Sequence, residues 1–124
     1  MKIKCGIDII EIDRIKKSIE NLGDAFLLKV FTQNEINYCE KKSKNKYEHY
    51  AARFCAKEAV FKALSEEVDN KYLISWKDIE TTNDKNGRPQ VKINFLENDK
   101  IENIDVSLSH CKNYAVANVT VLYK

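Results

Sequence analysis

A chain of 124 residues is the size of one domain, and 44% hydrophobic with 32% charged residues is an ordinary globular balance that excludes wholesale disorder. A net charge of +2 excludes a general nucleic-acid-binding surface but leaves room for a local basic pocket. No apolar run approaches the roughly 20 residues of a membrane span, so no membrane partner is expected.

Residues 3–12 (IKCGIDIIEI) are β-branched and partly alternating, which predicts a strand. Its period of two sends Cys5, Ile7 and Ile9 to one face and Gly6, Asp8 and Ile10 to the other. Asp13 is placed to cap a short helix ending at Gly23, and a second short helix follows over 24–30. The sequence TQNE at 32–35 is a capping box that opens a third helix to about Lys42. A lysine-rich stretch (KKSKNK) reads as a solvated connection to a long helix over 46–65. The polar run SEEVDNKYLIS then reads as a loop. Residues 76–82 and 90–95 are expected strands joined by the turn signal NDKNGRP. Residues 97–102 form a loop or one helical turn, and 104–109 and 114–122 form a closing hairpin with its bend at 110–113. One strand, several helices and four strands in that order give a single α+β domain over 1–124 with a mostly antiparallel sheet.

Lysine supplies 18 of the 21 basic residues, so Arg14, Arg53 and Arg88 stand out as candidates for sites that want a planar, bidentate cation. Cys5, Cys39, Cys55 and Cys111 lack CxxC or zinc-ligand spacing, which weakens a thiol oxidoreductase reading. Met1 is followed by a charged, strand-like segment rather than an apolar leader. Four reduced thiols in a cytoplasmic protein, at least two of them in the core, are therefore expected.

The chemistry concentrates in the long helix, at AARFCAKEAVFKAL (51–64). Glu58 and Lys62 are four apart on one helix face, and Arg53 and Lys57 share that spacing on a neighbouring face. Asp8, an acid in the middle of a buried strand, is either a metal or catalytic carboxylate or one held by structural hydrogen bonds. With Asp8, Glu58 forms a pair of hard oxygen donors suited to Mg²⁺, and Lys62 would neutralise a phosphate beside it. The other reading of Glu58 and Lys62 is a surface ion pair contributing a few tenths of a kcal/mol. His110, after Ser109 at a strand end, is a phosphate or proton-transfer candidate or a polar turn residue. Gly87, Arg88 and Pro89 are a turn or the edge of a ligand pocket, and His49 has no supporting context.

Taken together, Gly6-Ile7-Asp8-Ile9 with Glu11 and Arg14, Phe31-Thr32 with Glu35, and Arg53 to Ala59 with Lys62-Ala63 form an ordered set of motifs. It continues through Trp76 to Glu80, Asn86-Gly87-Arg88-Pro89, and Ser107-Leu108-Ser109-His110 with Tyr114-Ala115. The set covers nearly the whole chain and resembles the bacterial holo-acyl-carrier-protein synthases, the short 4′-phosphopantetheinyl transferases. That resemblance implies transfer of the phosphopantetheine arm of coenzyme A to a serine of an acyl carrier protein in fatty-acid biosynthesis, releasing adenosine 3′,5′-bisphosphate. It implies Asp8 and Glu58 as Mg²⁺ ligands, Lys62 near the pyrophosphate, and Arg53, Gly87, Arg88, Pro89, Ser109 and His110 around the adenosine and its 3′-phosphate. It also implies Arg14 facing the acidic carrier helix, and a homotrimer with active sites between subunits. The general base stays open between a water assisted by a carboxylate and His110. One departure stands out: Ser65-Glu66-Glu67 replaces a Gly-Thr-Gly turn, and the two acids are expected to face solvent. A non-enzymatic module that binds an acidic helix through Arg14 and the lysines is the competing class, and it predicts no Mg²⁺-dependent thermal shift with coenzyme A.

Overall fold

Strand β1 (Lys2–Glu11) pairs antiparallel along its whole length with the last strand, β5 (Tyr114–Tyr123), from Lys2 opposite Tyr123 to Glu11 opposite Tyr114. Strand β4 (Ile101–His110) lies antiparallel on the other side of β5, giving a three-stranded sheet in the order β1-β5-β4. Strands β2 (Ile79–Asn83) and β3 (Pro89–Ile93) form a separate antiparallel hairpin. The computed structural model describes residues 1–65, 74–94 and 100–124. Glu66 and Glu67, most of the loop reading that follows them, Phe95 and the start of the 97–102 reading lie outside the described residues.

Between β1 and β2 come α1 (Ile12–Leu22), α2 (Asp24–Val30), α3 (Gln33–Glu40) and the long α4 (Lys46–Leu64). Helix α4 lies across the inner face of the sheet, where Ala52, Cys55, Ala56, Ala59 and Ala63 are buried against Ala115, Ala117 and Val119. Most of its residues from Tyr50 to Leu64 are buried, because α1, α3 and β2 cover the sides the sheet leaves open. The reading of the fold as α+β with one long and several short helices is what the chain adopts.

Four boundaries differ from the sequence expectation. Helix α1 starts at Ile12, whose N–H bonds to Asn113 O at 2.9 Å, so Asp13 lies in the first turn and pairs with Lys17 at 3.0 Å instead of capping. The capping box of Thr32 and Glu35 forms as expected, but α3 ends at Glu40, short of Lys42. Residues Trp76–Asp78 are a 3₁₀ turn rather than the start of β2, because Asp78 accepts from the Ser75 N–H and hydroxyl at 2.8 and 3.2 Å. Strand β4 begins at Ile101, ahead of the expected 104, with an irregular register between Ile101 and Asn103.

Candidate active site

Asp8 points from β1 toward α4, and Gly6 on the same face lets the helix backbone come close beside it. A Cβ built on Gly6 would lie 1.9 Å from the Ala59 carbonyl oxygen. Across that contact, Lys62 donates to Asp8 Oδ1 at 3.1 Å and to the Ile7 carbonyl at 2.9 Å. The ammonium thus reaches over to β1 rather than lying along its own helix. Glu58, one turn before Lys62, is half-buried. Burial, and then the negative charge of Asp8, raise its carboxyl above the ordinary glutamate value, with Lys62 opposing. Beneath the pair, the buried Cys55 thiol donates to Ala115 O at 3.4 Å. Burial, reinforced by Asp8, pushes that thiol up to about 12.

Two carboxylates from different elements therefore share a small space with one ammonium, which sits on two oxygen atoms. That donor set fits a hard, oxygen-preferring cation that takes one or two protein carboxylates and completes its shell with water and phosphate. Among the described residues no group of three or more His, Cys, Asp or Glu could hold a metal, so such an ion would depend on a ligand for its remaining positions.

At the other end of α4 the chemistry is cationic and aromatic. Arg53 is only 3% exposed and donates to Asn83 Oδ1 at 2.8 Å, while its guanidinium lies 4.0 Å from the centre of the Tyr38 ring. Its Nε atom is buried with no hydrogen-bond partner among the described residues. Asn83 in turn donates to Gly87 O at 3.0 Å, so Arg53 and the β2–β3 turn are joined through one amide. Gly87 takes φ +82°, and Asp84 Oδ1 gathers the N–H groups of Asn86 and Arg88 at 2.8 and 2.9 Å. The Arg88 side chain leaves the other way, toward Asp105 at 3.4 Å, and with Pro89 it lines a groove of 640 Å³ between β3 and β4.

His110 stands on the inner face of β4 with Nδ1 3.7 Å from Glu48 Oε2, and its ring centre is 6.4 Å from that of His49. Ser109 faces the opposite side of the strand, as alternation requires, so the two neighbours do not address one ligand from one chain. His110 is also two strands and two register positions from Asp8, roughly 12 Å between Cα atoms by strand spacing and rise. Arg14 is exposed on the outer side of α1, opposite the buried Ile12, Ile15 and Ile19.

Residues 4–119 match the family described as the 4′-phosphopantetheinyl transferase superfamily. The chain belongs to that superfamily. A holo-[acyl-carrier-protein] synthase of Ruminiclostridium cellulolyticum is 46% identical over 98% of this chain and 92% of its own length. The Chlamydia trachomatis protein of the same name is 47% identical over 90% of this chain and 92% of its own. Among solved structures, the Bacillus anthracis synthase in complex with coenzyme A (3′,5′-ADP) superposes with a TM-score of 0.75 at 36% identity, covering 95% and 94% of the two chains. The Helicobacter pylori enzyme in complex with coenzyme A gives 0.83 at 30% identity, covering 95% and 99%.

Membership of the phosphopantetheinyl transferases makes the chain an enzyme and removes the purely binding module as a reading. It also frames what the sequence left unseen. Tyr38 lies under Arg53, and His49 meets Tyr38 edge-on with ring centres 5.6 Å apart. Burial, then the charges of Arg53 and Lys42, hold the His49 imidazole below the ordinary histidine value. His49 is four residues before Arg53, a spacing that could have flagged it, whereas Tyr38 and Asn83 carry no local signal.

Proposed function

We propose that the chain transfers the 4′-phosphopantetheine arm of coenzyme A to a serine hydroxyl of apo acyl carrier protein, with Asp8 and Glu58 as the Mg²⁺ ligands. The observation that carries this reading is the convergence of Asp8 and Glu58, from strand and helix, beside Lys62 in a chain of this superfamily. When bound, Mg²⁺ supplies positive charge to the pyrophosphate oxygens and makes the reacting phosphorus more electrophilic. The serine oxygen forms the new bond to phosphorus, and the bond to the leaving oxygen of adenosine 3′,5′-bisphosphate breaks. Lys62, half-exposed and now resting on Asp8, can swing to the phosphate once another cation satisfies that carboxylate. Arg53, together with the Gly87-Arg88-Pro89 turn and His110, receives the adenosine 3′-phosphate. Within one chain His110 stands away from the carboxylates, so there a water next to Asp8 or Glu58 is the nearer acceptor of the serine proton. Arg14, with Lys16 and Lys17 on the open side of α1, faces the acidic carrier.

Incorporation of labelled phosphopantetheine into an apo carrier is the direct test. Transfer is expected with Mg²⁺ and is expected to stop when the metal is chelated; absence of transfer with Mg²⁺ present would overturn the reading.

The reading includes a homotrimer, and the outer sheet face supports association. Ile3, Ile7 and Ile9 are 66%, 60% and 64% exposed in the single chain and lie beside Leu122 and Val116. Ser109 lies on that face, at what would become the joint between subunits. Thiol labelling reports on the assembly: Cys39 and Cys55 are buried, and burial pushes both thiols up to about 12, so neither reacts quickly. An assembly through this face protects Cys5 and leaves Cys111 as the one fast thiol per chain; two fast thiols under native conditions argue against it. The free cysteines accord with a cytoplasmic location, and no described helix is long and apolar enough to cross a membrane.

A further inference from the structure

Directly before Glu58 in the chain, Lys57 is entirely buried, and so is its partner Glu35. The Lys57 ammonium meets Glu35 Oε1 at 2.8 Å, the Trp76 carbonyl at 2.9 Å and the Ile79 carbonyl. Glu35 is equally committed: Oε1 also accepts the Thr32 N–H at 2.9 Å, and Oε2 accepts the Thr81 N–H at 2.8 Å. One ion pair therefore ties the start of α3, the middle of α4, the 3₁₀ turn and β2 together, with an oxygen for every N–H bond of the ammonium.

Stability alone is a weak account of such a pair, because well-packed apolar residues of similar volume often serve a fold as well or better. What apolar residues do not supply is direction. The side of α4 against the sheet is lined by Ala52, Ala56, Ala59 and Ala63, and a surface of methyl groups resists rotation about the helix axis poorly. A side-chain carboxylate sits roughly 6 Å from a helix axis, so a rotation of about 20° moves it by about 2 Å. Metal ligands tolerate only a few tenths of an ångström. Lys57 is fixed by three oxygens and is adjacent in sequence to Glu58 and one turn from Arg53, so its bonds set the rotation of both.

We propose that Glu35 and Lys57 are positioning residues for the reaction: their buried ion pair fixes the rotation of α4 so that Glu58 faces Asp8. The proposal rests on the reading of Glu58 as a metal ligand. Two variants test it. Glu35→Asp keeps both charges while drawing the carboxylate back by one methylene; Glu35→Gln with Lys57→Met removes both charges together and leaves the amide oxygen as acceptor for one of the two backbone N–H groups. The measurements are kcat per folded molecule, the Mg²⁺ concentration at half-maximal rate, and Mn²⁺ binding in the presence of coenzyme A followed by electron paramagnetic resonance. A merely structural loss lowers the folded fraction and scales the rate without moving the metal dependence. The positioning role predicts metal half-saturation raised about tenfold or more, with weaker Mn²⁺ binding and an unchanged KM for the carrier. Wild-type metal dependence and kcat in either folded variant would overturn it. Wild-type protein run alongside keeps the two readings apart, since a lack of Mg²⁺-dependent transfer there strikes the functional reading instead.

Discussion

Glu58→Gln is expected to reduce phosphopantetheine transfer by at least about a thousandfold while the protein stays folded, because the metal's charge stabilisation of the transition state amounts to several kcal/mol. The substitution keeps the shape of the side chain and removes only its charge. In the absence of ligands that charge is disfavoured, since burial and Asp8 raise the carboxyl above its usual range. The sign follows: a raised folded pKa means the folded state holds its proton more tightly than the unfolded chain. The cost to wild-type stability is therefore present above the raised pKa and is relieved as pH falls through it. At neutral pH the ligand-free Gln variant should melt no lower than wild type, and the difference between them should close in acid. Wild type should gain thermal stability from coenzyme A only when Mg²⁺ is added, and the variant should lose that gain. Asp8→Asn should cost as much activity, but it also strips Lys62 of its carboxylate partner. A Glu58→Gln enzyme with near-normal turnover would remove this residue from the metal site.

The carboxylate pair was legible in the sequence because each member broke a local rule. Asp8 was an acid inside a β-branched strand, and Glu58 was an acid in a helix of alanines and bases. Spacing does not bring them together, since they stand on a strand and a helix half a chain apart; the chemistry of a carboxylate pair and the family resemblance are what joined them. The same limit explains Glu35. Its place three residues after Thr32 announced the capping box, and that half of its role formed as read. Its other half, the bonds to Lys57 and to the Thr81 N–H, is a long-range contact with no local signature. Lys57 read as the neighbour of Arg53 on a helix face, when it is a buried cation holding three elements. The 3₁₀ turn at Trp76 was missed for the opposite reason: Ser75 and Asp78 form a local capping pair that outcompetes the strand propensity around them. The division of Ser109 from His110 was available from the period of two alone.

Gly6→Ala should be the most damaging single-methyl change in the protein. The new Cβ would lie 1.9 Å from Ala59 O, 2.9 Å from Ala59 C and 2.9 Å from Ala63 N. All three are backbone atoms of α4, so no rotamer can relieve the contact. Reaching van der Waals distance requires β1 and α4 to part by about 1.5 Å at the point where both carry the site. Overpacking of this kind commonly costs about 1–3 kcal/mol, and a backbone obstacle belongs at or above the top of that range. A thermal midpoint lowered by roughly 10 °C or more is the expected stability readout. Asp8 lies two residues beyond Gly6 on the same face, so the separation also widens the gap between Asp8 and Glu58. A displacement of about 1 Å at a reacting centre can cost on the order of 100-fold in rate, and that loss should persist at temperatures where the variant is fully folded. Gly23→Ala is the steric control: nothing lies within 4 Å of its added methyl, and its backbone at φ +57° and ψ −133°, a region nearly confined to glycine, opposes the change. It should lose about 1–3 kcal/mol through backbone strain and keep its activity. A Gly6→Ala enzyme that melts and turns over like the Gly23 variant would show that α4 and β1 do not meet as closely as the shared site of Asp8 and Glu58 requires.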